Sequence, residues 1–104
     1  MVNLQTVRKI AFSLEGTIEM PHFEKTSFRL KKKIYATMDE KQQVVTIKLN
    51  EIDQSIFVAI DKGMIYRVPN KWGLQGWTII DLKKVNMELL KEALGKAWQT
   101  LKGA

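Results

Sequence analysis

The sequence predicts an α+β fold, a two-layer sandwich in which helices cover one face of an antiparallel sheet. Three observations predict it. Between Ser27 and Leu49 apolar and polar residues alternate, the pattern of strands with one buried face. Three other segments repeat their apolar residues at helical spacing, and each begins at an asparagine suited to capping. The elements run α-β-β-β-β-α-β-β-α, so the first four strands form a meander joined by short turns, and the helices collect on one side.

Asn3–Leu14 reads as the first helix. Leu4, Val7, Ala11 and Leu14 form its stripe, Ile10 and Phe12 widen it, Asn3 caps it and Gly16 stops it. Thr17–Phe23 is a strand containing Pro21, which has no ladder donor and therefore belongs on an edge or at a bulge. Ser27–Leu30 turns Phe28 and Leu30 one way, and Ser27, Arg29 and Lys31 the other. After a turn at Lys31-Lys32, Lys33–Met38 turns Ile34, Ala36 and Met38 one way, and Lys33, Tyr35 and Thr37 the other. Val44–Leu49 faces Val45, Ile47 and Leu49 inward, and Thr46 and Lys48 outward.

Asn50–Ile60 is the second helix. Asn50 caps it, Glu51 and Asp53 sit at the positive end of its dipole, and Ile52, Ile56, Ala59 and Ile60 are its expected buried stripe. Met64–Val68 is a fifth strand closed by Pro69, Asn70–Gly76 a loop with two glycines, and Trp77–Leu82 a sixth strand. The closing helix, Asn86–Leu101, has Leu90, Ala93, Leu94, Ala97, Trp98 and Leu101 as its apolar face. Gly95 costs ~1 kcal/mol there relative to alanine, and close packing on the sheet is the expected reason.

The 104 residues are expected to form one domain, 1–104, large enough for a real core without staples. The chain has no cysteine, which excludes disulfides and thiolate metal sites. No apolar run approaches a membrane span, and MVNLQTVRKI lacks the unbroken apolar segment of a signal peptide, so a cytoplasmic monomer is expected, with no membrane association. The formal net charge of +6 favours polyanionic partners: DNA or RNA, phosphorylated ligands, or an acidic protein.

The segments also resemble a known family. The run Phe12–Arg29, FSLEGTIEMPHFEKTSFR, is similar to the opening of the MmcQ/YjbR family. Lys33-Ile34-Tyr35-Ala36 matches its next strand, Gly76–Leu82 its later Gly-Trp strand, and Val85–Leu90 through Ala97-Trp98 its final helix. The matches cover nearly the whole chain in the right order. Glu15 replaces the family's usual proline, and Trp72 is an additional tryptophan before Trp77. The resemblance implies a fold like that of bacterial frataxin (CyaY-like) and a DNA-binding label that rests on structural analogy. Frataxin-like iron binding needs acids along the first helix, which here carries Arg8, Lys9 and only Glu15 near its end.

Three places are candidates for function. Arg29, Lys31, Lys33 and Lys48, with Tyr35 among them, would project from the sheet face away from the helices, where cations and a ring can track phosphates and stack bases. The same pattern also describes an ordinary wet sheet face. Lys71 and Trp72 in the glycine loop would present a cation and a ring, while Trp77 is expected to plug the end of the core. His22 with Glu19 and Glu24 is either an acid/base group or a satisfied histidine beside Pro21; His22, Glu24 and Trp72 are the candidate small-ligand pocket. With one histidine and no cysteine a zinc site has no grouped ligands. No phosphate loop or nucleophile motif is present, so a non-catalytic binding protein without cofactor is expected, with a protein adaptor for an acidic partner as the alternative.

Overall fold

The computed structural model describes residues 1–103. Its elements are α1 (Leu4–Ser13), β1 (Ile18–His22), β2 (Lys25–Leu30), β3 (Lys33–Asp39), β4 (Val44–Lys48), α2 (Glu51–Ile60), β5 (Ile65–Arg67), α3 (Lys71–Leu74), β6 (Trp77–Asp81) and α4 (Met87–Lys102). The asparagines cap as expected: Asn3, Asn50 and Asn86 each accept from a backbone N–H three residues on, at 2.8 Å. The strands form one sheet of order β1-β2-β3-β4-β6-β5, antiparallel throughout. Pro21 lies on the edge strand β1, where its missing donor breaks no interior ladder.

Phe28, Leu30, Ala36, Met38, Val45, Ile47 and Ile80 fill one face of this sheet. Val7, Ile10 and Ala11 of α1 and Leu90, Ala93, Leu94 and Ala97 of α4 cover it. The chain start is tied to the far end of β6 by a hydrogen bond from Val2 N–H to Leu82 O at 2.8 Å.

Four expectations are corrected. The Asn70–Gly76 loop contains α3, and the segment passes so close to neighbouring backbone that no side chain fits at Gly73 or Gly76. A Cβ at Gly73 would stand 2.1 Å from Val68 O, and one at Gly76 2.0 Å from Leu49 O. In β3, Phe28 pairs with Ala36 and Arg29 with Ile34, leaving Tyr35 as the extra residue of a bulge. The bulge shifts the alternation: Tyr35 is fully buried on the core side, and Ile34 joins the open face. The Tyr35 hydroxyl lies 2.8 Å from Thr17 Oγ1; burial pushes the phenol pKa up, against the opposing pull of that hydrogen bond.

Helix α2 is turned relative to the expected stripe. It buries Gln54 and Phe57 and exposes Ile52, Ile56, Ala59 and Ile60. The Gln54 amide is held by partners on the core side, described below. Gly95, finally, is not packed on the sheet, since no atom lies within 4 Å of where its Cβ would stand.

Candidate functional site

The sheet face away from α1 and α4 carries no covering element. Its central row runs Ser27, Thr37, Thr46, Ile79, each opposite the next across β2, β3, β4 and β6. Ile34, Thr37, Thr46 and Ile79 contribute to a groove of about 410 Å³. Val68, Trp72 and Trp77 line it from the β5–β6 side, and His22 and Lys25 from the β1–β2 hairpin. No carboxylate lines it.

Cations surround this floor of isoleucines and threonines. Lys48 Nζ lies 5.8 Å from the Trp77 ring centroid, and Lys71 Nζ 5.8 Å from that of Trp72. Arg29 donates from Nε to Ser27 Oγ at 3.0 Å, and Ser27 Oγ donates to Met20 O at 2.8 Å. These bonds fix the Arg29 side chain on the open face and explain why a serine there is buried. Among the described residues the carboxylate ion pairs are those of Arg8, to Glu19 at 3.1 Å and Glu40 at 3.3 Å. The groove cations therefore hold no internal counter-charge.

The candidates divide accordingly. Arg29 and Lys48 lie on the open face, and Trp72 stands half-exposed in the groove wall beside Lys71. Tyr35 is removed from the face by the bulge. Lys31 and Lys32 form the β2–β3 turn with left-handed φ of 53° and 71°. That turn carries Lys31 to a depression beside Glu15, Trp98 and Lys102 at the helix layer. Lys33 pairs with core-facing Leu30, so it too leaves the open face. His22 and Trp72 line one groove, as the pocket reading expects, whereas Glu24 is exposed in the hairpin turn and does not line it. Glu19 is turned to Arg8. Trp77 does not plug the core: Thr78 and Ile80 take the buried positions of β6, and Trp77 faces the groove.

Two features were not legible beforehand. Gln54, only 3% exposed, donates from Nε2 to Gly73 O and to Thr78 Oγ1, each at 3.0 Å, and accepts from Arg67 Nε at 3.2 Å. It ties α2 to α3 and so fixes the wall that carries Trp72. Phe23, at the tip of the β1–β2 turn beside His22, has φ 58° and is 94% exposed. A left-handed φ is uncommon for a bulky residue, and an exposed ring gains nothing from burial there. Among the described residues no three metal-ligating side chains gather, and no helix is long and apolar enough to cross a membrane.

Comparison with known proteins adds a family and a fold. A family model described as YjbR matches residues 12–100. No curated protein matches the sequence. The crystal structure of Deinococcus radiodurans protein DR2400, described with the family-model domain DUF419, superposes with a TM-score of 0.81 at 22% identity, over 98% of this chain and 80% of that one. At that identity the likeness speaks for the fold.

Proposed function

We propose, for a chain that belongs to the YjbR family, that the open sheet face binds single-stranded nucleic acid and performs no chemical step on it. One observation carries the reading: an apolar groove walled by two tryptophans, free of carboxylates, and ringed by Lys25, Arg29, Lys48 and Lys71. Unpaired bases have exposed faces for Trp72 and Trp77, and stacking on such rings is worth about 1–3 kcal/mol per base. The cations at the rim suit the phosphates that join those bases. A duplex hides its base faces, and α3, whose Trp72 lines this groove, is a single turn of four residues, too short to enter a duplex groove as a recognition helix. A cytoplasmic setting for a chain without cysteine is part of the proposal.

A small planar anion is the second reading, favoured by the groove's volume of about 410 Å³, which suits a single small ligand. Both are tested by fluorescence anisotropy with a labelled single-stranded oligonucleotide and its duplex, at low and moderate salt. The strand is expected to bind more tightly than the duplex and to weaken with salt. Trp72→Ala is expected to lose about 5- to 150-fold in affinity, and Lys48→Ala to reduce the salt slope by about 1. Lys31→Ala with Lys33→Ala, off the face, leaves binding near wild type. No binding at low salt, or a Trp72→Ala variant as tight as wild type, overturns the proposal. Full competition by a free mononucleotide supports the small-ligand reading instead.

A further inference from the structure

The tip of the β1–β2 hairpin carries a ring for which the fold gives no reason. Phe23 is 94% exposed and holds a left-handed φ of 58°. Glycine or asparagine meets a turn in that conformation with less strain. The ring is not isolated, however. It stands edge-on to the imidazole of His22, with centroids 4.8 Å apart and planes at 70°. His22 in turn lines the groove that Trp72 and Trp77 wall from the other side. Phe23 is therefore the outermost of four rings, three on the groove wall and one just beyond it.

We infer that Phe23 is the outlying stacking platform of this groove: a bound single strand leaves the groove past His22 and lays one further base on the Phe23 ring. The inference rests on the groove being a single-strand site, and it adds the length of strand engaged. At about 410 Å³ the groove is at the small end of ligand sites, so a strand of more than a few nucleotides has to run out of it. The exit on the hairpin side passes His22, and Phe23 stands against that residue. A ring kept in water on a strained backbone is accounted for if it meets a base there.

The charges around the tip assign this contact to the ring and not to phosphates. Lys25 follows the turn, but Glu24 is exposed beside Phe23. Asp39 follows Met38, the partner of Thr26, and so stands at the same end of the sheet, where its side chain accepts from Gln42 N–H at 3.1 Å. Glu19 and Glu40 are taken up by Arg8. The tip thus has no surplus of positive charge, in contrast to the rim at Arg29, Lys48 and Lys71. A base on Phe23 is held by its π face, which every base has, and that contact releases no counterions. It should therefore add affinity without adding to the salt slope.

Two probes separate the groove from the tip: a thymidine dinucleotide, and an oligothymidylate of about eight nucleotides, within the ~4–16 that one single-strand-binding fold covers. Both are followed by quenching of tryptophan fluorescence. Phe23→Leu keeps an apolar side chain and the left-handed strain but has no ring. It is expected to weaken the longer strand about 5- to 20-fold, at low and moderate salt alike, and to leave the dinucleotide unchanged. Phe23→Asn, which relieves the strain, weakens the longer strand equally, and Phe23→Trp binds it at least as tightly as the native chain. Affinity then follows the ring and not stability. If Phe23→Leu binds the longer strand as tightly as the native chain while the dinucleotide still binds, this inference is overturned and the groove reading stands. Equal weakening of both probes also overturns it, since Phe23 would then act inside the groove through His22. No quenching by either probe at low salt overturns the groove reading, and this inference with it.

Discussion

Replacing Gln54 by leucine keeps the side chain's bulk in the core and removes its hydrogen bonds. Two of these are short and buried, to Gly73 O and Thr78 Oγ1 at 3.0 Å; a third, to Trp77 O, is long at 3.4 Å, and a fourth, accepted from Arg67 Nε at 3.2 Å, is only part-buried. A buried hydrogen bond contributes a net of about 1 kcal/mol, so the two short ones are worth roughly 2. The oxygens left behind are not orphaned. Gly73 O still accepts from Gly76 N at 3.1 Å, and the Thr78 hydroxyl still donates to Gly76 O at 3.0 Å. No further desolvation penalty is due, and apolar burial of leucine offsets part of the loss. Gln54→Leu should therefore lower stability by about 1–2 kcal/mol, a fall in melting temperature of roughly 5–15 °C for a domain of this size. Gln54→Glu should cost more, because a carboxylate facing Gly73 O can neither donate to it nor be well solvated. Urea unfolding followed by circular dichroism measures both. Gln54→Leu at or above wild-type stability would refute the claim that this amide holds α2 in its observed orientation. The orientation would then be left to Phe57 alone.

Two further substitutions should stabilise. Gly95→Ala fills open space in the middle of α4 and should raise stability by about 0.5–1 kcal/mol; a lower melting temperature would contradict the free space. Phe23→Asn places a residue that tolerates left-handed φ at a tip where the ring is 94% exposed, and should gain about 1 kcal/mol. Calorimetry checks it, and a loss would show that the ring is held by contacts worth more than the strain.

What could be read along the chain was what is decided within a few residues. The three long helices, their asparagine caps and the inward positions of Val45, Ile47 and Leu49 depend on local spacing, and they stand as read. The ordered motifs from Phe12 to Trp98 pointed to the family that residues 12–100 match. Tyr35 was misplaced because a bulge is set by the partner strand: Phe28 and Arg29 decide which residue of β3 goes unpaired. The turn at Lys31-Lys32 lies where it was read, but its left-handed φ angles carry Lys31 toward the helix layer, and the Tyr35 bulge reverses the side to which Lys33 points. The orientation of α2 was hidden for a different reason. Its isoleucines outweigh Gln54 in hydropathy, yet the amide's partners lie 19 and 24 residues away. His22 and Trp72 could be suspected of sharing a pocket, but Trp77 could not be assigned to it while it was read as a core plug.

The position of α4 has a consequence for the life of the chain in the cell. Strands β1 to β4 pair with sequence neighbours and are all made before residue 49, but Leu90, Ala93, Leu94 and Ala97 that cover them follow every strand. A ribosome that has released the chain through Asp81 has delivered every strand, with much of the apolar side of the sheet still wet. The nascent protein is thus at its most adhesive in the interval between the emergence of β6 and that of α4, when chaperones have the most surface to recognise. A premature stop ahead of Met87 would accordingly leave all six strands intact and yield an aggregating product, in contrast to a stop that removes only the final turn.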